Sequence, residues 1–169
     1  MLSGAQRQSR IKAALGDTPE PITATEFAKQ FNVSRQTVVG DVALLRALGE
    51  DIIATPRGYE YRQAVRHQAV IVCRHTPEET EDELLRIVGA GGTVLDVLID
   101  HPLYGQLRGE LQIRTAVDVH LFVSKWRGHA GHLLSELTNG VHLHTVAYDE
   151  PEQLAAIKAT LRDAGYLYE

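Results

Sequence analysis

The chain has a single cysteine, Cys73, and no apolar run long enough to span a membrane; neither sign of charge is in large excess. One cysteine forms no internal disulfide, which fits a reducing cytoplasm better than an oxidising compartment. The first 20 residues hold no continuous apolar region, so neither a signal peptide nor a membrane anchor is expected. Internal repeats and low-complexity segments are missing too. What remains is an ordinary soluble globular composition of 169 residues, 44% hydrophobic and 23% charged, enough for one domain or two small ones with modest cores.

The net charge of −5 is unevenly spread. Residues 1–66 carry nine Lys/Arg against seven Asp/Glu, and the remainder carries eight against fifteen. The basic share therefore lies in the first part of the chain, where a DNA reader would use it.

Gln6 to Leu15 reads as an amphipathic first helix, closed by Gly16. Thr23-Ala24-Thr25-Glu26 is a capping box that starts a second helix, with Phe27, Ala28 and Phe31 as its apolar side. Phe31-Asn32-Val33 then leads directly to Ser34, a strong N-cap for a third helix from Arg35 to about Leu48, ended by Gly49. Two short helices joined so tightly suggest a helix-turn-helix. At about 100° per residue, Val38, Asp41, Leu44, Leu45 and Leu48 gather on one side of the third helix. Arg35, Gln36, Val39, Ala43 and Arg46 gather on the other, as a recognition helix in a major groove requires. Ile52 to Thr55 and Tyr59 to Arg62 make two short strands around Pro56-Arg57-Gly58, a wing with Arg57 at its tip. The candidate DNA contacts are Ser34, Arg35, Gln36, Thr37, Arg46 and Arg57.

After a polar junction over residues 62–67, Gln68 to Arg74 is a short apolar strand. His75-Thr76-Pro77-Glu78-Glu79 ends it and opens a helix, with Thr76 as N-cap, Pro77 in the first turn and Glu79 completing the box. Glu83 lies one turn beyond Glu79 and faces back toward His75. Strands follow at Thr93 to Asp100 and Gln106 to Ile113, then a helix capped at Thr115. After a loop comes a strand from Val141 to Tyr148, and then a closing helix from Glu152 to Ala164 with Gly165 as its stop. Tyr166-Leu167-Tyr168 is expected to add an edge strand. This βαββαβα order is that of a two-layer α+β domain with a mainly antiparallel sheet.

Within the last of these strands, His142 and His144 sit two apart, so both imidazoles project from one face. Together with His75 and Glu83 they offer three nitrogens and a carboxylate, a set suited to zinc, nickel, cobalt, iron or manganese rather than calcium or magnesium. His67, His120, His129 and His132 read as surface or hydrogen-bonded residues. A histidine-rich site with an open position could also activate water, but no further carboxylate or histidine is placed as a general base, so an enzyme is not expected.

Three strings, Phe31 to Gln36, Asp41 to Arg46 and Ala54-Thr55-Pro56-Arg57-Gly58-Tyr59, resemble the winged module of the biotin-operon-repressor type. His101-Pro102-Leu103-Tyr104-Gly105 and Leu137 to Thr145, with its Asn139-Gly140-Val141-His142-Leu143-His144 core, resemble the three-histidine domain that follows this module in niacin-responsive transcriptional repressors. The resemblance spans nearly the whole chain. It implies a cytoplasmic, homodimeric repressor of genes for making or importing the NAD precursor niacin, with nicotinic acid as effector and operator DNA as partner. It implies a winged helix-turn-helix domain over residues 1–66 and a metal-binding, effector-binding and dimerisation domain over 67–169. The family's ligand pattern falls on His75, Glu83, His142 and His144, the residues chosen from spacing, with one divalent transition metal per chain, nickel or zinc. Were the metal purely structural, His101 and Tyr104 would be the candidate effector contacts.

Overall fold

A computed structural model of the chain describes residues 1–64 and 67–169; Val65 and Arg66, in the expected polar junction, lie outside the described residues. The chain divides into two compact units, Met1–Ala64 and Val65–Glu169.

The first unit contains α1 (Gly4–Asp17), α2 (Ala24–Phe31), α3 (Arg35–Ala47), β1 (Ile52–Thr55) and β2 (Gly58–Tyr61). Each helix begins at a hydroxyl cap, Ser3, Thr23 or Ser34, that accepts a first-turn amide which would otherwise lack a partner. Asn32 adopts a left-handed conformation after α2, which lets the chain reach the Ser34 cap within three residues. Ile11, Leu15, Phe27, Phe31, Val38, Val42, Leu45, Ile52 and Tyr59 close over one core. The buried carboxylate of Asp41 is held by Arg7, Nε to Oδ2 at 2.6 Å, and so clamps α1 to α3. β1 and β2 pair antiparallel from Ile52–Tyr61 to Thr55–Gly58, leaving Pro56 and Arg57 at the tip. Ile22 joins this hairpin by exchanging both main-chain hydrogen bonds with Tyr59.

Two expectations for this unit are corrected. Gly16 does not end the first helix, which runs on to Asp17; the chain leaves it at Thr18, whose extended conformation is the one favoured before Pro19. On α3 the buried stripe is Val38, Asp41, Val42 and Leu45, while Leu44 is 56% and Leu48 77% exposed. The face is rotated toward Val42 because α1 and α2 pack against the i, i+3, i+4, i+7 row starting at Val38.

The second unit contains β3 (His67–Arg74), α4 (Thr80–Gly89), β4 (Thr93–His101), β5 (Gly105–Ile113), α5 (Ala116–Arg127), β6 (Val141–Tyr148) and α6 (Pro151–Ala164). The sheet order is β3-β6-β4-β5 with every neighbouring pair antiparallel, so the last strand in sequence lies in the interior of the sheet. The expected element order is observed. A 3-10 turn at Pro77–Glu79 precedes α4, and Glu79 accepts the Thr76 amide at 2.8 Å. Ile71, Val94, Leu111, Ile113 and Val146 of the sheet share one core with Leu84, Ile87, Val119, Val123, Ile157 and Leu161 of the three helices. Near the C-terminus, Leu167 bridges Cys73 and the Tyr168 amide donates to the Val72 carbonyl, giving β3 a short edge partner. No helix among the described residues is long and apolar enough to cross a membrane.

Candidate metal centre and DNA-binding face

β6 alternates, so His142, His144 and Val146 turn into the core while Val141, Leu143 and Thr145 turn away. The β3–β6 register sets Cys73 across from His142 and Ile71 across from His144. His75 follows the end of β3, and the capping turn behind it starts α4 so that Glu83 comes back over the same place. The four side chains converge. Glu83 Oε2 lies 2.7 Å from both His75 Nε2 and His142 Nε2, and Glu83 Oε1 lies 2.8 Å from His144 Nε2. Glu83 is 1%, His142 2% and His144 3% exposed.

The other nitrogen of each ring is fixed by main chain. Nδ1 of His75 donates to the Thr76 carbonyl at 2.7 Å, that of His142 to the Gly140 carbonyl at 2.8 Å, and that of His144 to the Asp96 carbonyl at 2.7 Å. A carbonyl oxygen only accepts, so each Nδ1 carries a proton, and a ring that holds no second proton presents its Nε2 lone pair to Glu83. An ionised carboxylate also only accepts. Three lone pairs and a carboxylate at these distances are held together by added protons or by a cation. Burial alone would favour neutral rings, but the Glu83 carboxylate beside their Nε2 atoms and the main-chain carbonyls on their Nδ1 atoms hold His75 and His144 above the usual imidazole range. Burial would likewise raise Glu83, yet the charge of His144 and the hydrogen bonds of His142 and His144 keep it well below the usual carboxylate range.

The cluster fits a divalent transition ion on two observations. First, His75 Nε2 is buried and, although 2.7 Å from Glu83 Oε2, makes no hydrogen bond. Second, the Nδ1 contacts to main-chain carbonyls are the outer contacts that fix metal-bound histidines in their ligating tautomer. Two donors at right angles on one ion, each about 2.1 Å away, are about 3.0 Å apart, close to the 2.7 and 2.8 Å that separate the Glu83 oxygens from the imidazoles. Beside His75 lies a cleft of about 600 Å³, lined by Arg74, His75, Thr76, Pro77, Glu79, Glu136, Asn139 and Gly140.

His101 and Tyr104 sit at the tip of the β4–β5 hairpin. His101 Nδ1 accepts the amides of Leu103 and Tyr104 at 3.1 and 3.3 Å, and the two rings lie 5.1 Å apart. These contacts stabilise the turn itself rather than joining the histidine cluster. Of the remaining histidines, His120, His129 and His132 make exposed contacts to Glu81, the Lys125 carbonyl and Glu136, while His67 stacks on Tyr148.

On the first unit, Arg35 and Gln36 are exposed in the first turn of α3. The Ser34 hydroxyl accepts the Thr37 amide at 3.0 Å and lies 2.8 Å from the Thr37 hydroxyl, so both oxygens serve the helix start. Arg46 donates from Nε to the Ile52 carbonyl at 2.7 Å and lies over the Tyr59 ring, tying α3 to the hairpin. At the hairpin tip, Arg57 pairs with Glu20 at 2.8 Å.

Residues 7–60 match the model of an HTH domain and residues 68–169 that of a 3H domain. The chain is 41% identical over 171 residues to the transcription repressor NadR of Bacillus subtilis (strain 168), covering 98% of this chain and 95% of that protein. It is 37% identical over 167 residues to the probable transcription repressor NiaR of Thermotoga maritima, covering 96% and 95%. The chain belongs to this family of transcription repressors. The expected regulator, rather than an enzyme, is thereby borne out, and the helix-turn-helix is its DNA-binding element.

Three contributors of this 3H domain to the cluster were missed by sequence reasoning. Asp96 supplies the carbonyl for His144, while its buried carboxylate accepts the Thr145 amide at 2.8 Å and meets Arg108 at 2.9 Å. An acid flanked by Leu95 and Val97 in the middle of the strand Thr93–His101 was the available signal. Gly140, with φ of +90°, supplies the carbonyl for His142. Cys73 is 0% exposed, and burial, then the Glu83 charge, push its thiol well up.

Proposed function

We propose that this repressor binds operator DNA as a homodimer, carries one divalent transition ion per chain, nickel or zinc, and responds to nicotinic acid in controlling NAD-precursor genes. Residues 1–66 would read DNA, and 67–169 would bind metal and effector and form the dimer. One observation carries the metal reading: three imidazoles with protonated Nδ1 atoms aim their Nε2 atoms at the buried Glu83. His75, Glu83, His142 and His144 would hold the ion, which supplies a fixed positive charge and a position for a small ligand. The cleft against His75 has the volume of a small-molecule site, and Arg74 at its rim offers a cation to a carboxylate such as that of nicotinic acid. An effector that binds one dimer geometry better than another would set the spacing of the two α3 helices against two half-sites.

Operator affinity of the metal-loaded protein, measured with and without nicotinic acid, tests the effector; equal affinities overturn it. Metal analysis of a His142→Ala/His144→Ala variant tests the ligands, since one ion per chain there overturns the assignment.

A second reading keeps the metal purely structural, with the effector bound elsewhere. It is favoured by the near-complete burial of Glu83, His142 and His144. A change in the visible spectrum of the cobalt-loaded protein on adding nicotinic acid supports the first reading, and an unchanged spectrum with retained effector binding supports the second.

A further inference from the structure

Cys73 does not reach the surface, and it faces His142 directly across the β3–β6 ladder. Its Sγ and one donor atom each from Glu83 and His142 form a buried group whose atoms all lie within 4.8 Å of one another. The Glu83 carboxylate of this group has a further neighbour without a hydrogen-bond partner: His75 Nε2, on a side chain 1% exposed, lies 2.7 Å from Glu83 Oε2. A buried thiol on its own is ordinary core material. A buried thiol among a carboxylate and imidazole lone pairs, one of them unpartnered, belongs to a mixed donor set.

We propose that Cys73 is a further ligand of the centre, binding the ion through sulfur. The inference rests on the reading of the histidine cluster as a metal centre. Donors on opposite sides of one ion, at about 2.1 Å for nitrogen or oxygen and about 2.3 Å for sulfur, are separated by about 4.4 Å. The spread of up to 4.8 Å between Sγ and its neighbours is therefore reachable with small side-chain movements. On coordination the S–H bond breaks, the metal–sulfur bond forms, and one proton passes to solvent; no electron changes hands. The shell then holds three nitrogens, one oxygen and one sulfur. Sulfur biases the choice toward nickel, cobalt and zinc over manganese, and five protein donors leave an octahedral ion one position open.

The test is the optical spectrum of the full-length protein loaded with one equivalent of cobalt(II), beside Cys73→Ala and Cys73→Val, the second chosen to keep the core filled. The expected result is visible cobalt bands in all three proteins and a near-ultraviolet sulfur-to-cobalt charge-transfer band in the wild type alone. Cobalt-edge absorption fine structure of the wild type, which needs no variant to fold, should show one sulfur at about 2.3 Å. Affinity for cobalt relative to manganese should fall about tenfold or more in both variants. Visible bands with no charge-transfer band or sulfur shell in the wild type overturn the proposal and leave Cys73 a packing residue beside an intact centre. Absence of bound cobalt altogether overturns the metal centre itself.

Discussion

Gly140 lies so close to His75 that a Cβ built on it would stand 2.3 Å from the His75 carbonyl oxygen. The same glycine has φ of +90° and accepts the His142 Nδ1 proton, so one residue positions two of the three imidazoles. Gly140→Ala is expected to cost at least about 1–3 kcal/mol from backbone strain alone and to lower metal content. Chemical denaturation and metal analysis check this; a wild-type midpoint with full metal content would contradict it.

The metal-free protein should lose stability as pH rises. His75 and His144 are raised above the ordinary 6.5, so their contribution is full below that value and lost as pH climbs through the raised values. Glu83 is lowered from 4.5, so its contribution is present above that value and lost as pH falls through the lowered one. The chelated protein is therefore most stable in mild acid. A bound ion replaces the imidazole protons, so the gain in melting temperature on adding metal should grow from mildly acidic to mildly alkaline buffer. Thermal unfolding with chelator and with zinc measures both trends, and a metal effect independent of pH would sink the argument.

Asp41→Ala should damage the first unit alone. It leaves the Arg7 guanidinium, whose side chain is 14% exposed, without its anion and loosens the contact of α1 with α3. Operator binding should weaken sharply while metal content stays at the wild-type level. Gel-shift titration beside metal analysis makes the comparison.

Gln36 and Arg57 should differ in kind. Gln36→Ala, in the exposed first turn of α3, is expected to cost about 1–3 kcal/mol on the operator and to relax preference at one base pair. Arg57→Ala should weaken all sequences similarly and reduce the salt slope by about one. Because Glu20 pairs with Arg57, Glu20→Gln should strengthen binding to nonspecific duplex. Fluorescence anisotropy over a salt series separates these cases.

Much of this was legible because it is local. A strand period of two puts His142 and His144 on one face whatever the rest of the fold does, and the box from Thr76 to Glu79 starts α4 where Glu83 can turn back toward His75. The helix-turn-helix followed from the caps at Thr23 and Ser34 for the same reason. What was not legible is long-range. The place of β6 between β3 and β4 depends on strand pairing across most of the unit, and with it come the approaches of Cys73 and of the Asp96 carbonyl. The rotation of α3 that exposes Leu44 and Leu48 reflects which neighbours pack on it, and an apolar pattern with leucines on two adjacent stripes does not decide between them.

The protons of all three ring Nδ1 atoms are held by peptide carbonyls, those of Thr76, Asp96 and Gly140. Every amino acid carries that oxygen, so this outer layer is written in the path of the chain, and side-chain identity enters it only at Gly140, where a Cβ would not fit. Alanine scanning would pass over Thr76 without removing its acceptor. A search of relatives for a matching acidic or amide partner to these histidines would look for a residue that the architecture does not require.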